Sequence, residues 1–402
     1  MNAEAVDILI AGGGPVGAAL ALALEGSGHS VVLAEARSAD SAGSRSADSS
    51  NARNADAVTA PGARAGDARA IALSYASRLI LERLQAWRGL AATPIETIHV
   101  SQQGGFGRTL IRAADCGVPA LGYVAGYDNL LQSLLAPPCS ARRLFGAKLS
   151  RFEDATVILQ TQSGELAFTP RLTVLADGAR IAEAVAAPAF SKDYRQTAVV
   201  AWVQASEAHR GRAWERFTPE GPLALLPHGD GYSLVWTTNA QAATRLCALA
   251  AAEFLLELHA AFGDRLGAFT RVSERAAFPL ALRYQREETR PHVLSVGNAA
   301  QTLHPVAGQG FNLGLRDAWE LARLARDNAE IGSNRFSRAF RRARSLDRRA
   351  GIRFTDGLVG LFSNSNPLLR AGRGAGLLAL DLAPFAREFV ARRMIYGARA
   401  LP

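Results

Sequence analysis

The chain has 402 residues, of which 49% are apolar and 20% are charged, and this composition excludes a disordered or fibrous protein. It predicts one large domain or two closely packed ones. The formal net charge is +9, but residues 335–402 hold fourteen arginines and four acidic residues, a net of +10, so the other 334 residues come to −1. No nucleic-acid recognition motif accompanies these arginines. The basic tail favours an anionic membrane surface or an acidic partner protein, with a solvated helical face as the alternative.

The N-terminus and the cysteines bear on the cellular compartment. Residues 8–24 are uncharged, but Glu4 and Asp7 precede them where a signal peptide needs Lys or Arg, and glycines interrupt the run. We therefore expect no secretion signal and no membrane-spanning segment. Three cysteines lie far apart, without a metal-binding spacing: Cys116, Cys139 and Cys247. They predict reduced thiols in a cytoplasmic protein, with no disulfide framework and no metal site.

The first 35 residues have the pattern of a βαβ unit. A short apolar run over 6–11 predicts a strand, small and aliphatic residues over 16–25 predict a helix, and 31–34 predict a second strand. This order is typical of the start of a parallel α/β sheet.

The turn between the first strand and the helix is rich in glycine and has the pattern Gly12-x-Gly14-Pro15-x-Gly17. Glycines let a pyrophosphate approach the helix N-terminus, where free N–H groups and the helix dipole favour anions. Glu35 ends the second strand 18 residues after Gly17, where it can accept hydrogen bonds from a ribose diol. We predict a dinucleotide site for an adenosine with a free 2′-hydroxyl, because a 2′-phosphate would add a second negative charge beside Glu35.

Composition also divides the rest of the chain. Residues 38–68 are small and polar with almost no large apolar side chain, which predicts a disordered insertion. Helices are expected over 70–84 and 240–262, and antiparallel strands with one covered face over 195–238. The other expected elements are a hairpin over 156–168, strands over 172–176 and 293–296, and C-terminal helices with a break near 363–367.

A second glycine-rich motif follows the strand expected over 293–296. It comprises Gly297-Asn298, His304-Pro305, Gly308-Gln309-Gly310 and Asn312, ahead of a helix. Together with Asp177-Gly178, it resembles the flavin-binding motifs of the group A FAD-dependent aromatic hydroxylases, the para-hydroxybenzoate hydroxylase superfamily. Three further blocks look like the ubiquinone-biosynthesis branch of that family: 69–74, 215–227 and 354–364.

The resemblance and the expected elements together imply an α/β fold with three parts. A Rossmann-like FAD-binding domain is expected from 1–37, 69–180 and 285–330. A mostly antiparallel substrate sheet is expected over 181–284, and basic C-terminal helices over 331–402.

The cofactor that the resemblance implies is FAD, with NADH or NADPH as electron donor and O2 as co-substrate. A C4a-hydroperoxyflavin would deliver oxygen to an electron-rich phenol, so the protein is expected to position the ring and exclude water rather than supply a nucleophile. No catalytic residue is assigned: His304 is a candidate for proton transfer, against a role in shaping its loop. Asn129 stands near a position where many relatives have an arginine on the cofactor. The residues expected to bind FAD are Gly12, Gly14, Pro15, Gly17, Glu35, Arg69, Asp177, Gly178, Gly297, Asn298, Pro305, Gly308, Gln309, Gly310 and Asn312.

The substrate implied is a polyprenylated phenol of ubiquinone biosynthesis. Such a lipid lies in the bilayer, so the basic tail is a candidate for peripheral contact with the inner face of the cytoplasmic membrane. The family also suggests membership of a ubiquinone-biosynthesis complex. Two alternatives remain at this point: a hydroxylase of a small soluble phenol, and a flavin-binding subunit with little activity of its own.

Overall fold

The computed structural model describes residues 3–38, 58–59, 69–178, 190–285, 290–326, 328–362 and 366–398. The insertion predicted over 38–68 lies outside these residues, apart from Ser38 and a two-residue strand at 58–59 whose backbone pairs with Ala276 and Ala277. The helices are α1 (Pro15–Ala23), α2 (Tyr75–Arg83), α3 (Tyr127–Leu135), α4 (Ala240–Ala248), α5 (Ala251–Phe262), α6 (Gln309–Arg326), α7 (Asn334–Phe362), α8 (Pro367–Leu382) and α9 (Pro384–Tyr396).

The strands fall into three sheets. They are β1 (Glu4–Ala11), β2 (Val31–Glu35), β3 (Val58–Thr59), β4 (Ala70–Ser74), β5 (Ala92–Ile95), β6 (Thr97–Gln102), β7 (Arg108–Arg112), β8 (Gly122–Gly126), β9 (Arg142–Phe145), β10 (Lys148–Glu153), β11 (Thr156–Thr161), β12 (Gly164–Leu175), β13 (Phe190–Ala205), β14 (Arg212–Phe217), β15 (Pro222–His228), β16 (Gly231–Thr238), β17 (Phe269–Val272), β18 (Ala276–Tyr284), β19 (Val293–Ser295) and β20 (Gln301–Thr302).

The first sheet contains the predicted βαβ unit. Strand β1 lies between β12 and β2, and β9 and β19 continue the parallel order on either side, while β10 and β11 add an antiparallel hairpin. Ile8 and Ile10 pack on one face of β1 and Leu9 on the other, all fully buried. Burial on both faces explains why the strand is a continuous apolar run.

The second sheet has the order β20-β18-β13-β16-β15-β14-β6-β7 and is antiparallel except between β14 and β6. Strands β13 to β16 confirm the antiparallel strands expected over 195–238. Helices α4 and α5 cover one face with a core that includes Trp214, Tyr232 and Phe254. Strands β6 and β7 reach this sheet from within 69–180, the segment assigned to the FAD-binding domain from the sequence; the division into domains stays a prediction.

The third sheet, β4-β8-β5, lies where the sequence predicted the start of a helix over 70–84. That prediction is wrong for its first five residues, because 70–74 pair antiparallel with 122–126 of β8. The side chain of Ser74 then accepts a hydrogen bond from the Ser77 amide at 3.2 Å and starts α2. Long-range pairing overrode the local helical pattern here.

The single helix expected over 240–262 is also wrong in detail. Leu249 adopts an extended conformation with ψ 151° and separates α4 from α5. Leucine has no intrinsic preference for ending a helix, so the break follows from packing on the second sheet rather than from composition.

The C-terminal region is helical, as predicted, but part of its charge is internal. Arg344 on α7 donates to Asp317 on α6 and to Asp347, both at 2.7 Å, and Arg316 pairs with Asp347 at 2.9 Å. Asp317 is fully buried. Burial raises the pKa of Asp317, but Arg348 and Arg344 outweigh that effect and hold it below its ordinary value. Arginines of the basic tail therefore join α6 to α7 instead of facing solvent.

Candidate active site

The first glycine motif forms a close contact between β1, α1 and the end of β12. A Cβ on Gly17 would lie 1.9 Å from the Gly12 carbonyl oxygen, and a Cβ on Gly12, at φ +115°, would lie 2.6 Å from the Asp177 amide. Glycine is required at both positions because any side chain would separate these backbones. Pro15 begins α1 directly after Gly14. The Asp177-Gly178 motif thus lies against the glycine turn, as one site requires.

Glu35 turns its carboxylate toward the same turn. Its Oε2 accepts from the Gly13 amide at 2.7 Å, and its Oε1 accepts from the amide and Nε of Arg37 at 3.0 and 3.1 Å. Each carboxylate oxygen carries further lone pairs that a ribose hydroxyl can use. The carboxylate is therefore fixed at the end of β2, beside the N-terminus of α1.

Tyr127 and Arg69 form a boundary of this site. Of these two residues, only Arg69 was predicted from the sequence. The Tyr127 hydroxyl lies 3.5 Å from the position that a Cβ on Gly14 would take. The Arg69 guanidinium lies over the Tyr127 ring at 5.0 Å and over Phe278 of the second sheet at 5.7 Å. Asn129 is exposed in the first turn of α3. A tyrosine directly after a buried strand was the available signal for Tyr127.

The second glycine motif packs on the first. The Gly297 amide donates to Asp317 at 3.2 Å, and a Cβ on Gly297 would lie 3.2 Å from Val16 of α1. A Cβ on Gly314 of α6 would lie 2.8 Å from the same valine. The N-termini of α1 and α6 are therefore held side by side, which brings both motifs to one site.

Asn312 shapes this site from inside. Its Oδ1 accepts from the Ser74 amide at 2.8 Å and the Ser77 hydroxyl at 2.7 Å, while its Nδ2 donates to the carbonyls of Ala72 and Gly308 at 2.9 and 2.7 Å. These four bonds use the side chain fully. Asn312 therefore ties the loop to β4 through its side chain, and the cofactor contact expected at this residue stays a prediction.

The other predicted residues of the loop occupy different environments. Gly308 has φ +60°, and a Cβ there would lie 2.8 Å from the Ala72 side chain. Pro305 precedes the short turn Val306–Gly308, and Gln309 is buried. Asn298 is exposed, and its Oδ1 lies 3.9 Å from the position that a Cβ on Gly310 would take. Both residues therefore lie where the Gly308 loop meets solvent.

His304 is buried beneath the loop. Its Nδ1 accepts from the Val306 amide at 3.1 Å, which places the proton of a neutral ring on Nε2, an atom without a hydrogen-bond partner. The ring meets the edge of Tyr194 at 5.4 Å. Burial lowers the pKa of His304 to about 4, so the ring is neutral at physiological pH. These contacts favour the loop-shaping role over proton transfer.

The second sheet presents its uncovered face to the loop. Phe217 of β14 packs with Val306 of the loop and stacks on Phe362 of α7 at 3.8 Å between ring centroids. Beside Phe217 runs a row of six paired residues, one from each of six strands, which we call the cleft row: Ala276, Val200, Val235, Ala224, Glu215 and Val100. All six keep partial exposure although their strands lie inside the sheet. An accessible cleft therefore separates the sheet from the flavin-binding motifs.

The residues present fit a flavin dinucleotide. Two glycine turns at helix N-termini supply backbone N–H groups, Glu35 supplies a ribose acceptor, and the partly exposed cleft row lies on the side of the sheet that faces the Gly308 loop. Among the described residues no group of three or more His, Cys, Asp or Glu side chains has a metal-binding arrangement.

Solved structures define the class of protein. The chain superposes on p-nitrophenol 4-monooxygenase PnpA from Pseudomonas putida with a TM-score of 0.72 at 16% identity, covering 98% of this chain and 99% of that one. The FAD complex of HpxO from Klebsiella pneumoniae gives 0.71 at 15% identity, covering 99% of both chains. The fold is that of the FAD-dependent monooxygenases.

Sequence relatives define the family. Residues 150–331 match the FAD binding domain family. Ubiquinone hydroxylase UbiL of Rhodospirillum rubrum is 32% identical over 97% of this chain and 90% of its own length, and 3-demethoxyubiquinol 3-hydroxylase of Escherichia coli is 30% identical over 95% and 96%. The chain belongs to this family of FAD-dependent hydroxylases. It is a flavoprotein monooxygenase that uses FAD, NAD(P)H and O2, as the resemblance to the group A hydroxylases implied.

Proposed function

We propose that this protein hydroxylates the aromatic ring of a polyprenylated phenol in ubiquinone biosynthesis. The observation that carries the proposal is the similarity, over at least 95% of the chain, to two relatives whose names describe ubiquinone or demethoxyubiquinol hydroxylation. The blocks 69–74, 215–227, 297–317 and 354–364 also resemble, within that branch, the 2-octaprenyl-6-methoxyphenol hydroxylases. A small soluble phenol and a subunit with little activity are the less favoured alternatives.

The chain's own residues have three tasks in this reaction. FAD held in this site would supply the chemistry of hydride acceptance from NAD(P)H and of oxygen transfer from O2 to the ring. We assign the holding of the dinucleotide to the glycine turns, Glu35 and Arg69. Asn312 and His304 hold the Gly308 loop in shape, and the cleft row limits where the ring can lie.

An apolar cavity supports the lipid nature of the substrate. A space of about 70 Å³ lies between β4, β6 and α9, and Gln309 and Asn312 border it. Its other walls are almost entirely apolar: Ala72, Leu73, Ile95, Ile98, Ile111, Leu121, Ala391, Met394 and Ile395, with Ser74 and Gly122. We propose that an isoprenoid tail leaves the site along this cavity, toward α9.

Peripheral membrane contact is the second part of the proposal, with a cytoplasmic enzyme visiting the inner face of the membrane. In the described ranges no helix is long and apolar enough to cross a bilayer. Helices α8 and α9 instead expose large apolar side chains at their junction, with Leu382 73% and Phe385 89% exposed. Arg392 and Arg393 are exposed on α9, where Arg393 lies over the Phe389 ring and Arg392 pairs with Glu388 at 2.8 Å. We call Leu382, Phe385, Phe389, Arg392 and Arg393 the junction face, and apolar side chains ringed by arginines fit an anionic lipid surface.

Quinone-intermediate profiling tests the substrate assignment. In a strain lacking this protein we expect a polyprenylated phenol that is one hydroxyl short of the next intermediate to accumulate, and the wild-type chain to remove it. The structure of the accumulated lipid identifies the ring carbon. An unchanged quinone profile in the deletion strain would contradict the proposal.

A further inference from the structure

Glu215 is the ionisable member of the cleft row. It pairs laterally with Ala224 on β15 and with Val100 on β6, and the other row members are alanine or valine. Its neighbours Trp214 and Arg216 turn to the opposite face, where Trp214 joins the core under α5 and Arg216 donates to the Ala261 carbonyl at 3.2 Å. Strand alternation therefore points the Glu215 side chain into the cleft.

The residues on either side of Glu215 along β14 pack against the elements that carry the flavin-binding motifs. Two residues before it, Ala213 packs on Val124 of the third sheet, and two residues after it, Phe217 packs on Val306 of the loop. The carboxylate lies between these contacts, on the side of the sheet that faces the Gly308 loop. A ring held against the loop would therefore lie on the same side of the sheet as this side chain.

One carboxylate oxygen of Glu215 is buried, although the residue as a whole is partly exposed to the cleft. This oxygen, Oε1, makes no hydrogen bond. Burial raises the pKa of Glu215 to about 7. The charged and titratable side chains on the elements around this face include Arg69 before β4, Tyr194 on β13, His304 before the loop, Asp356 on α7, and Arg370 and Arg373 on α8. A buried carboxylate oxygen without a partner costs stability, and such groups are characteristic of functional sites.

We propose that Glu215 is the base that accepts the phenol proton of the substrate. The inference rests on the proposed function. The phenol O–H bond breaks, the proton bonds to a Glu215 carboxylate oxygen, and the electron pair left on the phenolate spreads to the ortho and para ring carbons. Those carbons then accept an electrophilic oxygen atom more readily. The proton returns to the oxygen of the product, so the proton balance of the hydroxylation is unchanged.

The test compares wild-type holoenzyme with Glu215→Gln and Glu215→Asp, and with Glu274→Gln as a control at an exposed glutamate. The probe is 2-methoxyphenol that carries one prenyl group of five carbon atoms. Its hydroxylation rate and the rate of NAD(P)H oxidation are followed from pH 6 to pH 10. FAD content is measured for each variant.

In the wild type we expect the hydroxylation rate to fall as the pH drops below about 7, because the base must be ionised to accept the phenol proton. In Glu215→Gln this dependence on pH disappears, and the rate at pH 7.5 falls by about 10²- to 10⁴-fold with FAD content unchanged. Glu215→Asp keeps part of the rate and of its dependence on pH, and Glu274→Gln matches the wild type.

A wild-type rate and pH profile in Glu215→Gln would overturn the inference. Should Glu215→Gln not retain FAD, the Asp variant decides alone, and a wild-type rate with an unchanged pH profile in that variant counts against the proposal. A wild type that does not hydroxylate the probe would overturn the proposed function and the inference that rests on it, whereas equal hydroxylation by the wild type and Glu215→Gln overturns the inference alone.

Discussion

Gly17 sets the distance between α1 and the strand that precedes it. Because a Cβ at this position would lie 1.9 Å from the Gly12 carbonyl oxygen, the helix can hold its N-terminus beside a pyrophosphate only without a side chain here. The same reasoning applies to Gly308, whose positive φ and contact with Ala72 fix the second turn.

Substitution of Gly17 tests the first turn. In Gly17→Ala the added methyl group must push α1 away from β1, so we expect FAD affinity to fall by at least about tenfold and stability by about 1–3 kcal/mol. Fluorescence titration of apoprotein with FAD and thermal unfolding measure the two effects. Gly357→Ala is the control, because no atom lies within 4 Å of its Cβ position inside α7 and alanine favours helix. Wild-type FAD affinity in Gly17→Ala would refute this role.

At the scale of elements, local sequence patterns correctly predicted the helices and strands that local interactions determine. Strand β1, helix α1 and strand β2 follow from an apolar run, a glycine turn and Glu35, all within 35 residues. Strand β4 and the cleft row do not, because they depend on pairing between distant segments, such as β6 with β14 across more than 100 residues. Tyr127 and Glu215 were missed for the same reason: each looks like an ordinary strand or helix residue until its neighbours are known.

The junction face belongs to the same scale, since it exists only where α8 meets α9. Strand β7 anchors the inner side of α8: the Thr109 hydroxyl donates to the Leu377 carbonyl at 2.6 Å, and the Leu110 amide donates to Asp381 at 2.9 Å. The outer side carries Leu382 and Phe385 into solvent. Anchoring one side while exposing the other suits a surface that meets lipid rather than the protein core.

Liposome co-sedimentation tests the junction face. With vesicles that contain anionic lipid, we expect the combined change Arg392→Gln and Arg393→Gln to weaken binding by about 30-fold, since each arginine near such a surface contributes about 1 kcal/mol. Leu382→Ser with Phe385→Ser should weaken it independently of charge. Leu256→Ser and Arg271→Gln are matched controls. Leu256 on α5 is 72% exposed, and Arg271 is an exposed arginine on β17 of the second sheet. Equal binding by all variants would exclude this surface.

At the scale of the whole molecule, less of the positive charge of residues 335–402 is exposed than the sequence indicated. Four arginines of the +10 tail have internal partners: Arg344 and Arg348 with Asp317, Arg387 with Asp115, and Arg373 with carbonyls at the end of α7. These pairs fasten the C-terminal helices to the rest of the structure. The basic surface that could meet lipid or a partner protein is therefore smaller than the count alone predicted.

The whole molecule brings two glycine turns, a carboxylate and an accessible sheet face to one cleft, and the central claim is that this cleft hydroxylates a prenylated phenol. The most direct measurement is isotope incorporation by the purified FAD holoenzyme, supplied with NAD(P)H, prenylated 2-methoxyphenol and ¹⁸O₂. Mass spectrometry should show one ¹⁸O atom in the hydroxylated product, with NAD(P)H consumed in step. Oxidation of NAD(P)H that leaves the phenol unchanged, or product oxygen that comes from water, would contradict the account.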